Sequence, residues 1–182
     1  KERDELSFHL STVDQLVKVV PLHDKEIAPG ETAFARLKAD APFFAFPHAR
    51  FVVRKPGLHG QGTVGGGRVL DPHPSEGKGA FARWKASIAG LASSTLDDNV
   101  RALLEDARNE GLSLASLQAR LSRAYTADEV AHAADTVGIR LLIGKEERFV
   151  ERGRVQDVAS DISEMIEAYH QAHPIAFGPS LA

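Results

Sequence analysis

The sequence predicts a multi-domain α+β chain, in which a small antiparallel β-barrel is followed by a mostly helical winged helix-turn-helix module. Two observations lead to this prediction. Up to Pro74 the sequence consists of brief β-branched or aromatic runs separated by turn residues, whereas after Pro74 apolar residues recur at helical intervals. With 182 residues, 43% of them hydrophobic, the chain is large enough to bury a core in each part.

Residues 1–74 are predicted to form the barrel. Turn signals such as Pro29-Gly30 and Pro56-Gly57 separate its strands. The alternation of side chains between the two faces of a strand is clearest at residues 34–38, where Phe34, Arg36 and Lys38 are expected on one face. Several short strands bounded by turns are typical of small antiparallel barrels. The six predicted strands are residues 6–10, 15–20, 32–38, 43–46, 51–54 and 64–70.

Residues 75–94 are predicted to be a linker and a connecting helix. The linker reads Ser-Glu-Gly-Lys-Gly, and the helix that follows has an apolar face. We expect Trp84 to pack this helix onto the barrel or onto the next helix. The residues of the apolar face are Phe81, Trp84, Ile88 and Leu91.

Residues 95–154 are predicted to form the winged-helix module, because three helices are followed by a β-hairpin. Thr95 can cap the first helix, residues 113–121 form a short second one, and the capping box from Thr126 to Glu129 opens the third. The hairpin strands are predicted at residues 139–143 and 148–151.

Residues 155–182 are predicted to be the start of a second winged-helix module. Their helix would end at His173, because Pro174 disfavours helix in the residue before it. An apolar stripe this regular needs a partner surface. The stripe consists of Val155, Val158, Ile162, Met165, Ile166 and Tyr169.

The segment GQGTVG at residues 60–65 matches the G-x-G-x-x-G fingerprint of dinucleotide-binding proteins, but we do not expect it to bind a phosphate. That fingerprint requires a helix to follow it directly. Here two further glycines, Val69, Leu70 and Asp71-Pro72 follow, and this segment cannot start a helix. The match is therefore accidental.

Positive charge is concentrated in one part of the chain, although the formal net charge is −3. Between residues 36 and 68 there are six basic residues and one acidic residue, Asp40. This local excess suits a phosphate-bearing partner, although a solvated strand face would have the same composition. The six basic residues are Arg36, Lys38, Arg50, Arg54, Lys55 and Arg68.

The composition excludes several classes of protein. The chain contains no cysteine, so disulfides and thiolate zinc sites are excluded. No stretch approaches the ~20 apolar residues that a membrane-spanning helix needs. The chain begins with Lys1 and shows no leader segment, so we interpret it as a cytoplasmic fragment of a longer protein.

Several short motifs resemble the bacterial selenocysteine-specific elongation factors, the SelB family. The sequences ARFVVR at residues 49–54 and TVGGGRVLDP at residues 63–72 resemble the family's R-F-V-L-R and T-I-G-G-G-x-V-L-D-P. YHQAHP at residues 169–174 resembles its Y-H-x-x-(N/H)-P. Residues 9–12 and 27–30 also match. Ser11 departs from the family, which usually has Gly there, and the chain contains no G-x-x-x-x-G-K-(S/T) motif of a GTPase.

The resemblance implies that residues 1–74 are an EF-Tu-like third-domain barrel that contributes to tRNA binding, with the glycine run in its closing strand. The loop before that strand corresponds to a turn that touches the T-stem of tRNA in EF-Tu-like proteins. Contacts of this kind would position the RNA through phosphates and ribose hydroxyls. The candidate RNA-binding residues are Arg54, Lys55, His59, Gln61 and Arg68. A solvated hairpin tip would have the same residues.

The winged module is expected to act as a spacer towards more distal modules that bind the messenger hairpin. Its recognition helix, at residues 127–137, contains Asp128, Glu129 and Asp135 and no Lys or Arg, so RNA phosphates would repel it. Possible secondary RNA contacts are Arg120, Arg123, Lys145 and Arg148.

The resemblance implies delivery of selenocysteyl-tRNA to the ribosome at a recoded UGA codon, by a monomer. GTP and Mg²⁺ would bind an upstream domain outside this sequence. Within the chain we expect no enzyme activity, no catalytic constellation and no cofactor. His170 and His173 have the spacing of metal ligands, but only Glu167 lies close to them in the sequence, so we expect no metal site. A rival interpretation is a transcription regulator with a DNA-binding winged domain and a ligand-sensing barrel, and this rival requires a basic recognition helix.

Overall fold

The structure, a computed structural model, describes residues 5–22, 26–56, 62–74, 79–121 and 123–173. Its first half is a curled antiparallel sheet of five strands in the order β3-β2-β1-β4-β5. Most of the loop between β4 and β5 and most of the predicted linker lie outside the described residues. The strands are β1 (Leu6–Leu10), β2 (Val13–Pro21), β3 (Ala35–Ala39), β4 (Arg50–Arg54) and β5 (Thr63–Arg68).

A two-residue turn joins β1 to β2, since Leu10 pairs with Val13. The first residue of this turn, Ser11, has a φ of 52°, in the left-handed region that favours glycine. Ser11 is also the position at which the sequence departs from the family pattern. The turn therefore forms at some cost in backbone strain.

The concave face of the sheet carries an apolar core around Phe8, which is fully buried. Phe8 lies 5.1 Å, between ring centroids, from both Phe43 and Phe51. The strand predicted at residues 43–46 is wrong. These residues lie between Pro42 and Pro47 in irregular conformation, and Phe43 contributes to the core without pairing in the sheet.

The second half begins with four helices, and the side-chain caps predicted from the sequence are present. The Oγ1 of Thr95 accepts a hydrogen bond from the Asp98 amide, and Thr126 forms a complete capping box with Glu129. The helices are α1 (Ala80–Leu91), α2 (Leu96–Ala107), α3 (Leu114–Arg120) and α4 (Ala127–Val137), with a 3₁₀ turn (Arg108–Glu110) after α2.

A hairpin and a long helix complete the described chain. The hairpin consists of β6 (Gly138–Ile143) and β7 (Glu146–Glu151), and Leu112, before α3, bridges to Phe149 on β7. The element order expected from the sequence, three helices and then a hairpin, is therefore present in α2 to β7. The predicted α+β fold class is confirmed.

The helices have a core of their own, distinct from the one around Phe8, and segments that flank the sheet contribute to it. Leu22, directly after β2, is buried together with Trp84 of α1 and Leu103 of α2. Phe34 and Leu70 pack against the same cluster. Trp84 thus joins the helices to the sheet, as the sequence predicts. Shared burial of this kind favours a fixed orientation of the two halves over a flexible joint.

The last helix, α5 (Arg152–Ala172), contains no buried residue. Its predicted apolar stripe is present but uncovered, with Met165 64% and Ile162 51% exposed. Within the described part of the chain, the helices include none that is long and apolar enough to cross a membrane.

Candidate nucleic-acid interface

The convex face of the sheet carries most of the basic residues that the sequence singled out. Strand register decides this, because residues directly opposite each other in an antiparallel pair project from the same face. Arg50 on β4 lies opposite Arg68 on β5. Lys18 on β2 lies opposite Lys38 on β3. Two pairs of like charges therefore occupy one surface.

These cross-strand pairs are electrostatically unfavourable unless an anion shares them. Like charges directly opposite each other destabilise a sheet. Lys18 is compensated by Glu5, whose Oε1 lies 3.2 Å from its Nζ. Among the described residues, by contrast, no carboxylate forms an ion pair with Arg50 or Arg68, and both side chains are exposed. The β4–β5 side of the convex face therefore has spare positive charge.

Two further predicted RNA-binding residues extend this charged side. Arg54 ends β4 on the same face as Arg50, and Lys55 follows it, both exposed. The Lys55 amide donates to the Gly62 carbonyl at 2.7 Å, which closes the base of the loop. His59 and Gln61, predicted at the tip of this loop, lie outside the described residues. Arg54 and Lys55 therefore lie at one end of the β4–β5 pair, and Arg68, opposite Arg50, lies at the other end of the same face.

The glycine run lets β5 lie very close to β4. A Cβ on Gly66 would lie 2.6 Å from the carbonyl oxygen of Phe51, and one on Gly67 would lie 2.6 Å from the Phe51 ring. A Cβ on Gly65 would meet nothing within 4 Å. Protein backbone and side chain, and not a nucleotide, therefore account for two of the three glycines.

His48 is a neighbour of this surface that the sequence did not reveal. It has a φ of 63°, and its amide donates to the Val69 carbonyl at 2.6 Å. Burial lowers the pKa of His48 from its usual 6.5, and the nearby positive charge of Arg68 lowers this pKa further. At neutral pH His48 therefore adds no charge to the basic surface.

Arg120 lies inside the protein, so its predicted RNA contact requires correction. Its side chain is 8% exposed and forms ion pairs with Asp71 and Asp106. Sequence spacing alone could not show that α3 turns this residue toward the sheet. Arg120 is a structural residue of the junction between the two halves.

The other basic candidates in the helical half lie at the surface, where most of them already interact with neighbouring groups. The guanidinium of Arg123 lies 4.0 Å from the centroid of the Phe46 ring. Arg148 pairs with Glu146 at 2.8 Å and donates to the Glu110 carbonyl. Lys145 is exposed in the turn of the hairpin. Compared with the sheet, this half offers little uncompensated positive charge at these positions.

Comparisons with known proteins bear on the whole chain. A selenocysteine-specific elongation factor of Desulfomicrobium baculatum is 25% identical over 191 residues, which cover 100% of this chain and 28% of that protein. The predicted resemblance to selenocysteine-specific elongation factors is confirmed. No family model matches the chain.

A crystal structure of a bacterial selenocysteine-specific elongation factor has a similar fold, with a TM-score of 0.64 over 95% of this chain and 25% of that one. Its sequence identity of 14% means that this match shows the fold alone. The chain spans between a quarter and a third of the length of these two elongation factors.

Among the described residues, no group of three or more His, Asp or Glu side chains could hold a metal ion. His173 is instead stacked on Tyr169, with ring centroids 4.7 Å apart. The residues that the structure assembles best are cations on a sheet face. Proteins contact phosphate groups through exposed cations of this kind.

Proposed function

We propose that this chain is a segment of a selenocysteine-specific translation elongation factor, the kind of protein that delivers selenocysteyl-tRNA to the ribosome at recoded UGA codons. The observation that supports this best is the uncompensated Arg50–Arg68 pair on the convex face of the sheet. Similarity to such a factor along the whole chain supports the same proposal.

The sheet would contribute to tRNA binding through the ribose-phosphate chain. Arg50, Arg54, Lys55 and Arg68 follow the β4–β5 side of the convex face, where a backbone could lie across both strands. A face of this kind contacts phosphates and positions an RNA without reading its bases. His59 and Gln61 would add contacts from the neighbouring loop.

The helical half would be a winged-helix module that acts as a spacer towards the messenger hairpin. Its predicted recognition helix, α4, exposes Asp128, Glu129 and Asp135 and contains no Lys or Arg. Arg140, on the neighbouring strand, is occupied by Asp135 at 2.8 Å. The uncovered apolar stripe of α5 would begin a second module, whose remaining residues would bury it.

The whole protein would bind GTP and Mg²⁺ in another domain, interact with the ribosome, and act as a cytoplasmic monomer. In this segment the residues serve binding and spacing. The shared core around Trp84 would keep the tRNA-binding and messenger-facing ends in a fixed orientation.

The proposal can be tested by measuring binding of the chain to a tRNA acceptor-arm helix over a range of salt concentrations. The double variant Arg50→Gln/Arg68→Gln should reduce the slope of log K against log salt by about 2, because each phosphate contact contributes roughly one. Arg140→Gln, an exposed arginine already paired with acids, is the matched control. Equal slopes for all three proteins would contradict the proposal.

Misfolding cannot produce the expected result. Removing one member of a like-charge pair should leave the free energy of unfolding unchanged or raise it by up to about 1 kcal/mol. The Arg68→Gln variant should therefore be at least as stable as the wild type while it binds RNA more weakly.

The rival function, a DNA-binding transcription regulator, receives no support from α4. Its acidic exposed side would be repelled by a DNA groove. Footprinting of a defined DNA site by this chain, together with dimerisation in light scattering, would favour that rival.

A further inference from the structure

A cavity in the helical half is surrounded by three arginines from distant parts of the sequence. The cavity has a volume of about 430 Å³ and lies where α1, the 3₁₀ turn after α2 and the start of α5 meet. Arg83 comes from α1, Arg108 from the turn and Arg154 from α5. It lies outside the sheet face described above.

The three guanidinium groups have unused hydrogen-bonding capacity. The Nε of Arg83 is shielded from solvent and has no hydrogen-bond partner. Arg154 uses its Nε to donate to the Asn109 side chain at 2.8 Å, and this leaves its terminal nitrogens for another acceptor. Among the described residues, none of these three arginines forms an ion pair. The arginines that do are Arg101, Arg120, Arg140 and Arg148.

The acidic residues of the cavity do not cancel this charge. Asp106 lines the cavity, but its Oδ2 pairs with Arg120, on α3, at 3.3 Å. Glu110 also lines the cavity but is exposed to solvent, and the three arginines outnumber the two acidic residues. A buried charged donor without an acceptor is costly, so proteins retain such groups where a ligand or water satisfies them.

The backbone at Arg108 gives a second, independent indication. This residue has φ 53° and ψ −131°, a conformation that side-chain-bearing residues rarely adopt. Strained residues of this kind concentrate at functional sites. A glycine would relieve the strain, yet the sequence has an arginine at this position in the cavity wall.

We propose that this cavity binds a phosphate group. Guanidinium groups present planar pairs of donors that match phosphate oxygens, and three of them around one small cavity suit a compact, highly charged oxyanion. The phosphate could belong to an RNA backbone or to a small free phosphate. The site gives the helical half an anion-binding role in addition to spacing, and it does not depend on tRNA binding by the sheet.

Thermal unfolding of the chain in inorganic phosphate and in chloride at equal ionic strength tests the proposal. Phosphate stabilises proteins in general, so the test compares the stabilisation that phosphate gives to the wild type with the stabilisation that it gives to a cavity variant. At ten times its Kd, phosphate should shift the folding equilibrium of the wild type about tenfold further than that of Arg83→Met. Arg140→Gln, outside the cavity, should behave as the wild type does.

Arg154→Gln provides a second variant should Arg83→Met fail to fold. Titration of phosphate should also shift the Arg83 Nε–Hε resonance in the wild type, a change that general stabilisation does not produce. Equal phosphate effects in wild type and cavity variants, with no shift of that resonance, would overturn the proposal and leave a water-filled cavity.

Binding of a short RNA helix distinguishes the two sources of phosphate. For an RNA backbone, the Arg83→Met variant should lose about one unit of the salt slope, and inorganic phosphate should compete. For a small free phosphate, the variant should lose only the phosphate effect and keep its RNA affinity. The Arg50→Gln/Arg68→Gln variant leaves the cavity intact. It therefore tests tRNA binding by the sheet independently of phosphate binding in the cavity.

Discussion

Arg120 donates two hydrogen bonds to Asp71 across the junction of sheet and helices, from Nε to Oδ1 at 3.2 Å and from Nη2 to Oδ2 at 2.6 Å. The Nε1 of Trp84 donates to the same carboxylate at 3.1 Å. Asp71 ends the segment that follows β5, Trp84 belongs to α1 and Arg120 to α3. One fully buried carboxylate thus holds three elements together.

Breaking this contact should destabilise the whole chain. Arg120→Met removes the guanidinium that neutralises the buried carboxylates of Asp71 and Asp106, and we expect a loss of about 3–5 kcal/mol in the free energy of unfolding, measured by urea denaturation. The exposed pair of Arg140 and Asp135 is the control, since Arg140→Met should cost less than about 1 kcal/mol. Similar losses for the two variants would show that the buried contact has no special role.

The glycine run should respond differently at each position. Gly66→Ala places a Cβ against the backbone oxygen of Phe51, a group that cannot move away without disturbing β4, so we expect a loss of about 1–3 kcal/mol. Gly65→Ala meets nothing and should leave stability unchanged or raise it by up to about 1 kcal/mol, because alanine loses less entropy on folding. Denaturation of both variants checks the order, and an equal loss at Gly65 would contradict the steric explanation.

The sequence predicted most local structure correctly because local chemistry determines it. Adjacent residues are enough to predict the helix caps at Thr95 and Thr126 and the turn at Pro29-Gly30. The strand prediction at Phe43 was wrong because the aromatic residues of this segment are typical of a strand. The segment's role in the core depends on contact with Phe8, which is distant in the sequence.

The candidate site was only partly predictable for a similar reason. A concentration of basic residues is visible in the sequence, but the pairing of Arg50 with Arg68 follows from strand register. The burial of Arg120 depends on which side of α3 faces Asp71, and no local pattern gives that orientation. The cavity at Arg83 joins residues more than seventy positions apart.

The strained turn at Ser11 offers a stabilising substitution. Ser11→Gly removes the cost of a left-handed φ, and the greater freedom of glycine in the unfolded chain offsets part of the gain, so we expect about 0.5–1 kcal/mol of added stability. Thr12→Gly, at the neighbouring turn residue without a positive φ, should instead lower stability. A gain for both variants in denaturation experiments would exclude relief of strain as the cause.

His48 should make stability depend on pH in a defined window. Because its pKa in the folded protein lies below the 6.5 expected when unfolded, the unfolded state binds more protons between these two values. The contribution of His48 to stability should therefore be complete above pH 6.5 and decline as pH falls through its lowered pKa. His48→Asn tolerates the same φ and removes the titration. Urea denaturation from pH 8 downwards should show the wild type losing stability relative to the variant once the pH falls below 6.5. Parallel curves would mean that the imidazole is as well hydrated in the folded protein as in the unfolded chain.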